Sequence, residues 1–256
     1  IRFHERISFK SDVSSEVLYN EEITSPRSVI HSLTPAIKFF IIVGMITRLL
    51  RKSEISPATW LLEFDREDLT FRAGQNVTLA PHGFGVNREY SIYSGENDPT
   101  LSFIIRTVEG GVVSSALTDL SPGDKAELEG PYGDFLSETP TVGMAPLLFV
   151  ATGTGSAPFH SVISTYPELN YTLLHGIRTV KEQYHHAHYG GNYISCISRE
   201  NGGSFNGRVT DYLLAFEPIL DARCYLCGNR DMINDVYSIL REKGISGDRI
   251  FSEVFF

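Results

Sequence analysis

The stretch Arg88-Glu89-Tyr90-Ser91-Ile92-Tyr93-Ser94 sets a cation, a flat ring and a hydroxyl close together in the chain. In an extended strand successive side chains alternate, so Arg88, Tyr90 and Ile92 share one face while Ser91 and Tyr93 share the other. Such a set suits a planar cofactor carrying a pyrophosphate: a ring to stack on, a guanidinium for phosphate, and a small hydroxyl beside the reacting atoms. An edge strand with a snorkelling arginine fits the same residues, so the rest of the chain must decide.

Three further stretches carry chemistry. Gly110-Gly111-Val112-Val113-Ser114-Ser115 opens a short helix. Free backbone N–H groups at the positive end of a helix dipole seat a phosphate, and a plain serine N-cap after a glycine turn is the other reading. Thr152-Gly153-Thr154-Gly155-Ser156-Ala157-Pro158 follows an apolar strand and starts a helix. Its glycines allow close backbone approach, and Pro158 fits the first helical turn, so a pyrophosphate would meet the helix N–H groups. The third glycine of the usual dinucleotide fingerprint is missing. Arg178, Ser198-Arg199 and Arg208 each follow a strand, and either lie as solvated surface or converge on a further phosphate.

Two other features invite metal chemistry and do not support it. Cys224 and Cys227 lie three apart within one strand, where they point to opposite faces. His185, His186 and His188 have no carboxylate placed in sequence to complete a site. Cys227, at a strand end before Gly228, is the cysteine placed to touch a ligand.

The elements that must position these residues fall into two grammars. Ile41–Leu50, Thr59–Phe64, Asn76–Ala80, Glu89–Ser94, Leu101–Thr107 and Lys125–Glu129 read as short strands broken by Gly and Pro turns, which predicts a six-stranded antiparallel barrel. Gly130-Pro131-Tyr132-Gly133 closes it. Beyond a linker the pattern becomes strand–helix alternation, the signature of a parallel sheet. Its strands are Leu147–Ala151, Tyr171–His175, Tyr193–Ile197, Arg223–Cys227 and Arg249–Ser252, and its helices start near Ala157, Val180, Val209 and Asp231. Ligands of such sheets sit beyond the carboxyl ends of the strands. The expected fold class is therefore β plus α/β. Its boundaries are an N-terminal extension of unassigned role over 1–37, a barrel over 38–137, a linker over 138–145 and an α/β domain over 146–256.

Composition sets the remaining bounds. With 42% hydrophobic and 21% charged residues the chain reads as an ordinary soluble protein with room for two domains. A net charge of -9 argues against nucleic acid. The most apolar run, Phe39 to Thr47, is closed by Lys38 and Arg48 and is far short of the roughly 20 residues that span a bilayer. Three cysteines give no disulfide framework, so the cytoplasm or another reducing soluble compartment is expected, and they cannot supply the four ligands of an iron–sulfur cluster. The first residues lack both the apolar core of a signal peptide and the acid-poor composition of a transit peptide, since they carry Glu5, Asp12, Glu16, Glu21 and Glu22.

Taken in order, these motifs resemble the ferredoxin–NADP reductase family of two-domain flavoproteins, from about Lys38 to Phe256. The resemblance implies an FAD-binding barrel and an NADP(H)-binding α/β domain. Arg88-Glu89-Tyr90-Ser91 is similar to the flavin motif, which implies Arg88 on the FAD pyrophosphate, Tyr90 stacked on the isoalloxazine and Ser91 at its redox edge. Gly111-Val112-Val113-Ser114 resembles the second FAD-phosphate loop, with Ser114 as ligand. Gly153-Thr154-Gly155-Ser156-Ala157-Pro158 resembles the pyridine-nucleotide pyrophosphate loop, Ser198-Arg199 the pocket for the 2′-phosphate, joined by Arg178 or Arg208, and Cys227-Gly228 the nicotinamide contact. Glu253-Val254-Phe255 resembles the plant-type terminus, in which an aromatic ring covers the flavin and the glutamate supports hydride and proton chemistry. Here Phe replaces Tyr and Phe256 follows, so either phenylalanine can be the cover, and Phe256 also reads as a plain hydrophobic strand end.

The activity this resemblance implies is hydride transfer between NADP(H) and FAD and single-electron exchange with a ferredoxin or flavodoxin, with Ser91, Cys227, Glu253 and the terminal aromatic ring at the reacting atoms. An NADH-dependent cytochrome b5 reductase-like or oxygenase-reductase component shares both domains, and a non-catalytic flavin-binding subunit is the alternative of another class. The acidic net charge is unusual for docking an acidic carrier.

Overall fold

The computed structural model describes residues 43–136 and 145–255. The N-terminal extension, linker residues 138–144 and Phe256 lie outside the described residues.

The first half is a six-stranded antiparallel sheet of barrel-like form, ordered β4-β3-β6-β1-β2-β5. Its strands are β1 (Val43–Ser56), β2 (Thr59–Asp65), β3 (Asn76–Pro81), β4 (Arg88–Ser91), β5 (Thr100–Arg106) and β6 (Lys125–Tyr132), with helix α1 (Val112–Asp119) before the last. β1 runs past its predicted end at Leu50, because it serves two partners. Val43 to Arg48 pair with β6, and Leu49 to Ser56 pair with β2, with a register shift between Leu49 and Arg51 where the strand changes neighbour. Thr47 and Leu49 point inward while Ile46 and Leu50 stay exposed, the alternation expected of a half-buried strand.

β4 is shorter than predicted for a related reason. Ile92 N still donates to Gln75 O, just before β3, but Tyr93 N donates to Ser102 O of β5 at 2.8 Å. The chain thus passes from one edge of the sheet to the other and helps to close the ring. Leu49, Phe64, Val77, Ile92 and Phe103 fill the interior, and Val113 and Leu117 of α1 join the same core.

The second half is a parallel sheet ordered β10-β9-β8-β7-β11-β12. Its strands are β7 (Leu147–Thr152), β8 (Tyr171–Ile177), β9 (Tyr193–Ile197), the two-residue β10 (Phe205–Asn206), β11 (Arg223–Gly228) and β12 (Ile250–Val254). Its helices are α2 (Ala157–Thr165), the four-residue α3 (His186–Tyr189), α4 (Val209–Ala215) and α5 (Arg230–Glu242). Leu148, Val150, Cys196, Cys224 and Leu226 pack on one face beside Leu213 of α4 and Val236 of α5. Phe149, Ala151, Leu173, Tyr225 and Cys227 pack on the other with Phe159 and Val162 of α2. Both faces are covered, which is why these strands read as nearly continuous apolar runs.

The helix expected from Val180 is a correction. Only a 3-10 turn, Val180–Glu182, and the short α3 form there. The segment is polar, His185 takes a left-handed φ of 47°, and Gly190-Gly191 follows, so a longer helix has neither an apolar stripe nor an uninterrupted run to propagate through.

The chain lays down β7, β8, β9 and β10 in one direction and returns to the other side of β7 for β11 and β12. The switch of direction falls between β7 and β11, and in sheets of this kind ligands sit beyond the carboxyl ends of the strands at that point.

Candidate functional site

At β4 the two faces separate as alternation requires. Tyr90 and Ile92 pack with the barrel core, Ser91 faces Glu253, and Tyr93 faces His160 and His185. Burial pushes the Tyr90 hydroxyl up to about 12, with Arg88 acting the other way, so the phenol stays neutral and donor-competent. Arg88 and Glu89 are exposed, and Arg88 Nη1 donates to Asn87 O at 2.8 Å.

The helix reading of Gly111–Ser115 resolves against a serine cap. Gly111 itself is the N-cap, no side chain caps the end, and Ser114 Oγ turns back to donate to Gly111 O at 3.3 Å. A Cβ at Gly111 would sit 2.5 Å from Val108 Cγ2 and 2.7 Å from Ser114 Oγ, so a larger residue there would displace both side chains. The first-turn N–H groups of Val112, Val113 and Ser114 thus have no side-chain acceptor at the helix end, a donor set that fits the phosphates of a dinucleotide.

The loop after β7 and the turn after β11 meet backbone to backbone. A Cβ at Gly155 would lie 2.5 Å from Cys227 O, and one at Gly228 would lie 2.2 Å from Thr152 Oγ1. Thr152 Oγ1 also accepts from Asn229 N at 3.0 Å, while Asn229 Oδ1 caps α5 by accepting from Asp231 N and Met232 N. Gly153 differs: its φ is +53° and nothing lies within 4 Å of a Cβ there, so it borders open space. Pro158 occupies the first turn of α2 as its missing N–H requires. A glycine open to space beside a helix start is the cradle a pyrophosphate needs.

The basic residues also gather at strand ends. Ser198 N donates to Ile177 O at 3.1 Å and Arg199 N to Arg178 O at 3.0 Å, which sets the ends of β8 and β9 side by side. Arg178, Arg199 and Arg208 are all exposed. Glu200 accepts from Val180 N. Arg208 is the N-cap of α4, and its N–H donates to Asp211 Oδ2 at 2.8 Å.

The two halves join at Glu253. Cys227 pairs in register with Ala151 on one side and Glu253 on the other. Ser91 Oγ donates to Glu253 Oε1 at 3.3 Å. Burial raises the Glu253 pKa, the Ser91 bond opposes this, and Glu89 adds to it. Cys227 is 0% exposed, and burial, then Glu253, raises its thiol well above the ordinary range, so it is a neutral thiol rather than a nucleophilic thiolate. Phe255 N donates to Gly228 O at 2.9 Å, and its ring packs against the cluster that contains Cys227.

Several residues that build this junction carry no sequence motif. Ser161 Oγ on α2 donates to Ser94 O at 2.6 Å, locking the segment after β4 to the nucleotide-side helix. His160 stacks on Tyr93 with ring centroids 3.7 Å apart and an 11° interplanar angle, and His160 Nδ1 lies 2.8 Å from Tyr93 O. His185 Nδ1 is hydrogen-bonded to the Tyr93 hydroxyl at 2.7 Å. His175 sits beneath the Gly153 loop with Nε2 2.8 Å from Gly153 O. Among the described residues no group of histidines, cysteines and carboxylates is arranged to hold a metal, and no helix is long and apolar enough to cross a membrane. Cys224 and Cys227 fall in opposite core clusters, as their spacing requires.

The model of the oxidoreductase FAD-binding domain family matches residues 47–136, the barrel and α1. The electron transfer component of toluate 1,2-dioxygenase from Pseudomonas putida is 31% identical over 82% of this chain and 66% of its own. Ferredoxin–NADP reductase B from Sorangium cellulosum is 38% identical over 45% of this chain and 49% of its own. Among solved structures, a cytochrome P450 reductase from Amycolatopsis superposes with a TM-score of 0.75 at 26% identity, covering 84% of this chain and 70% of that one. The chain spans 59% to 66% of the length of the first curated relatives it matches. With a barrel whose α1 end fits a phosphate and a parallel sheet whose switch-point loop borders open space, these likenesses give one assignment: the chain belongs to the ferredoxin–NADP reductase family of FAD-dependent oxidoreductases.

Proposed function

We propose that this chain is the flavin- and nicotinamide-binding part of an electron-transfer reductase, with residues 38–137 serving FAD and 146–256 serving NADP(H). The observation that carries the reading is the Ser91–Glu253 hydrogen bond, because it joins the expected flavin strand to the end of the nucleotide sheet beside Cys227.

FAD, when bound, supplies the conversion between a two-electron hydride and single electrons. Arg88, with its guanidinium exposed, and the N–H groups of Val112, Val113 and Ser114 hold its phosphates, while Tyr90 offers its ring from a half-buried position. Gly153 to Pro158 receive the nicotinamide dinucleotide's pyrophosphate, and Ser198 and Arg199, with Arg178 and Arg208, take the 2′-phosphate. Ser91 keeps its proton on Oγ and points it at Glu253, which orients the hydroxyl beside the reacting atoms. Cys227, neutral and buried, sets the floor of the nicotinamide position and excludes water. Phe255 packs over this floor, and an aromatic stack of about 0.5–1.5 kcal/mol is weak enough for a nicotinamide ring to displace.

The electrons pass to a one-electron carrier protein, a ferredoxin or flavodoxin in this reading. A second reading, an NADH-preferring reductase component of an oxygenase, has the toluate 1,2-dioxygenase relative in its favour. Reconstitution with FAD followed by anaerobic titration with NADPH and with NADH separates the readings. Bleaching of the flavin band by NADPH in preference to NADH supports the first, bleaching by NADH in preference supports the second, and bound FAD that neither nucleotide reduces refutes both.

A further inference from the structure

Among the buried groups that the proposed chemistry leaves unused, His175 has both ring nitrogens within hydrogen-bond distance of a partner. It ends the apolar run Tyr171-Thr172-Leu173-Leu174 on β8 and is 1% exposed. Nε2 lies 2.8 Å from Gly153 O, and Nδ1 lies 2.9 Å from the Tyr193 hydroxyl on β9. A carbonyl only accepts, so Nε2 carries the proton and Nδ1 is the acceptor, filled by Tyr193 O–H. Both ring nitrogens are satisfied and the tautomer is fixed from both ends.

The acceptor is the informative partner. Gly153 takes a left-handed φ of +53°, and a Cβ there would meet nothing within 4 Å, so no side chain presses on its outer face. Gly153 opens the 3-10 turn Gly153–Ser156, and its carbonyl also receives two side-chain donors, His175 Nε2–H and, at 3.2 Å, Ser156 Oγ. With that carbonyl drawn into the protein, the outer face of the loop is left for a ligand. The other end of the loop is fixed independently by Thr152 against Gly228 and Asn229. A leucine at 175 would fill comparable space, so burial alone gives no reason for an imidazole there.

We infer that His175 is a positioning residue for the pyridine-nucleotide loop, holding Gly153 through Nε2–H in the conformation that receives the dinucleotide, with Tyr193 setting its tautomer. The inference rests on the reading of this loop as the dinucleotide site. Burial, which pushes the His175 pKa down to about 4, keeps the ring neutral throughout the ordinary working range.

The test measures dissociation constants for NADP+ and NAD+ on FAD-loaded protein by calorimetry, beside FAD content and saturating flavin-reduction rate. His175→Leu should bind the preferred nucleotide roughly tenfold more weakly, with FAD content unchanged and the saturating rate altered less than about twofold. His175→Gln, whose Nε2 retains a donor, should recover most of the affinity. Tyr193→Phe should lose affinity by about two- to threefold, and it keeps the question open to measurement if His175→Leu does not fold. Wild-type affinity in both His175→Leu and Tyr193→Phe overturns the inference. So does parallel loss of FAD, nucleotide affinity and rate without rescue by glutamine, which marks a merely structural role. Wild-type protein that binds neither nucleotide defeats the functional reading and this inference with it.

Discussion

Ser91 Oγ donates to Glu253 Oε1 across 162 positions of sequence, so the strand at the edge of the barrel and the last strand of the parallel sheet share one hydrogen bond. The bond is reached because Ser91 faces away from the barrel core and because β12 lies outside β11, which puts Glu253 next to Cys227. Its energy as a protein contact is small, about 1.5–3 kcal/mol for a bond to a charged group. Its consequence is geometric, since it ties two side chains together, beside Cys227, at the seam where two cofactors are expected to meet.

The glycines of the switch point are expected to differ in what they tolerate. Gly228→Ala places a Cβ 2.2 Å from Thr152 Oγ1, and Gly155→Ala places one 2.5 Å from a backbone oxygen. Each should lower stability by about 1–3 kcal/mol in urea unfolding and weaken nucleotide binding with it. Gly153→Ala meets nothing within 4 Å and carries only its left-handed φ, a cost of about 1–2 kcal/mol. Equal binding losses at all three positions would contradict the account of close approach.

Acid should destabilise the fold through its buried histidines. Burial holds His160 down to about 3 and His175 down to about 4, against 6.5 for the free side chain. Between about pH 6.5 and pH 4 the unfolded chain therefore binds more protons than the folded one, and stability falls as pH falls through that window. The slope is at most about 1.4 kcal/mol per pH unit for each histidine. Glu253, whose pKa burial raises, acts with the opposite sign just above its ordinary value and offsets part of this. Urea midpoints at about pH 5 and about pH 6 should differ less in His175→Gln than in wild type, by up to one proton's share. Identical differences would mean that His175 titrates normally in the folded protein.

Cofactor choice is expected to lie with Arg199. Losing one charge-assisted bond of about 1.5–3 kcal/mol should weaken NADPH binding roughly 10- to 150-fold in Arg199→Ala and leave NADH within about twofold. Comparable losses for both nucleotides would move the 2′-phosphate site elsewhere, with Arg178 and Arg208 the next residues to replace.

Much of this was legible in the sequence because it is local. Alternation along β1 and β4, the glycines after β7, Pro158 in the first turn of α2 and the split of Cys224 from Cys227 all follow from periodicity and turn chemistry. What escaped is set by pairings between distant segments. The extra length of β1 comes from its second partner, and the early end of β4 from Tyr93 reaching β5. His175 looked like one more residue of an apolar strand, and only the meeting of β8 with the Gly153 loop gives it a task. The histidines near 185 have no carboxylate placed in sequence to complete a metal site, yet nothing local shows that His185 and His160 flank Tyr93. The His at 175 was itself a signal, since an imidazole ending an apolar run at a strand's carboxyl end needs two partners.

The most direct test of the central claim is anaerobic stopped-flow reduction of the FAD-loaded chain, followed in the flavin band, for wild type, Ser91→Ala and Glu253→Gln with saturating NADPH and NADH. The account predicts rapid bleaching of wild type by NADPH, slower bleaching by NADH, and rates reduced about 10- to 100-fold in both variants with FAD content preserved. Wild-type rates in both variants would contradict the account, because hydride transfer would then not depend on the seam that Ser91 and Glu253 form.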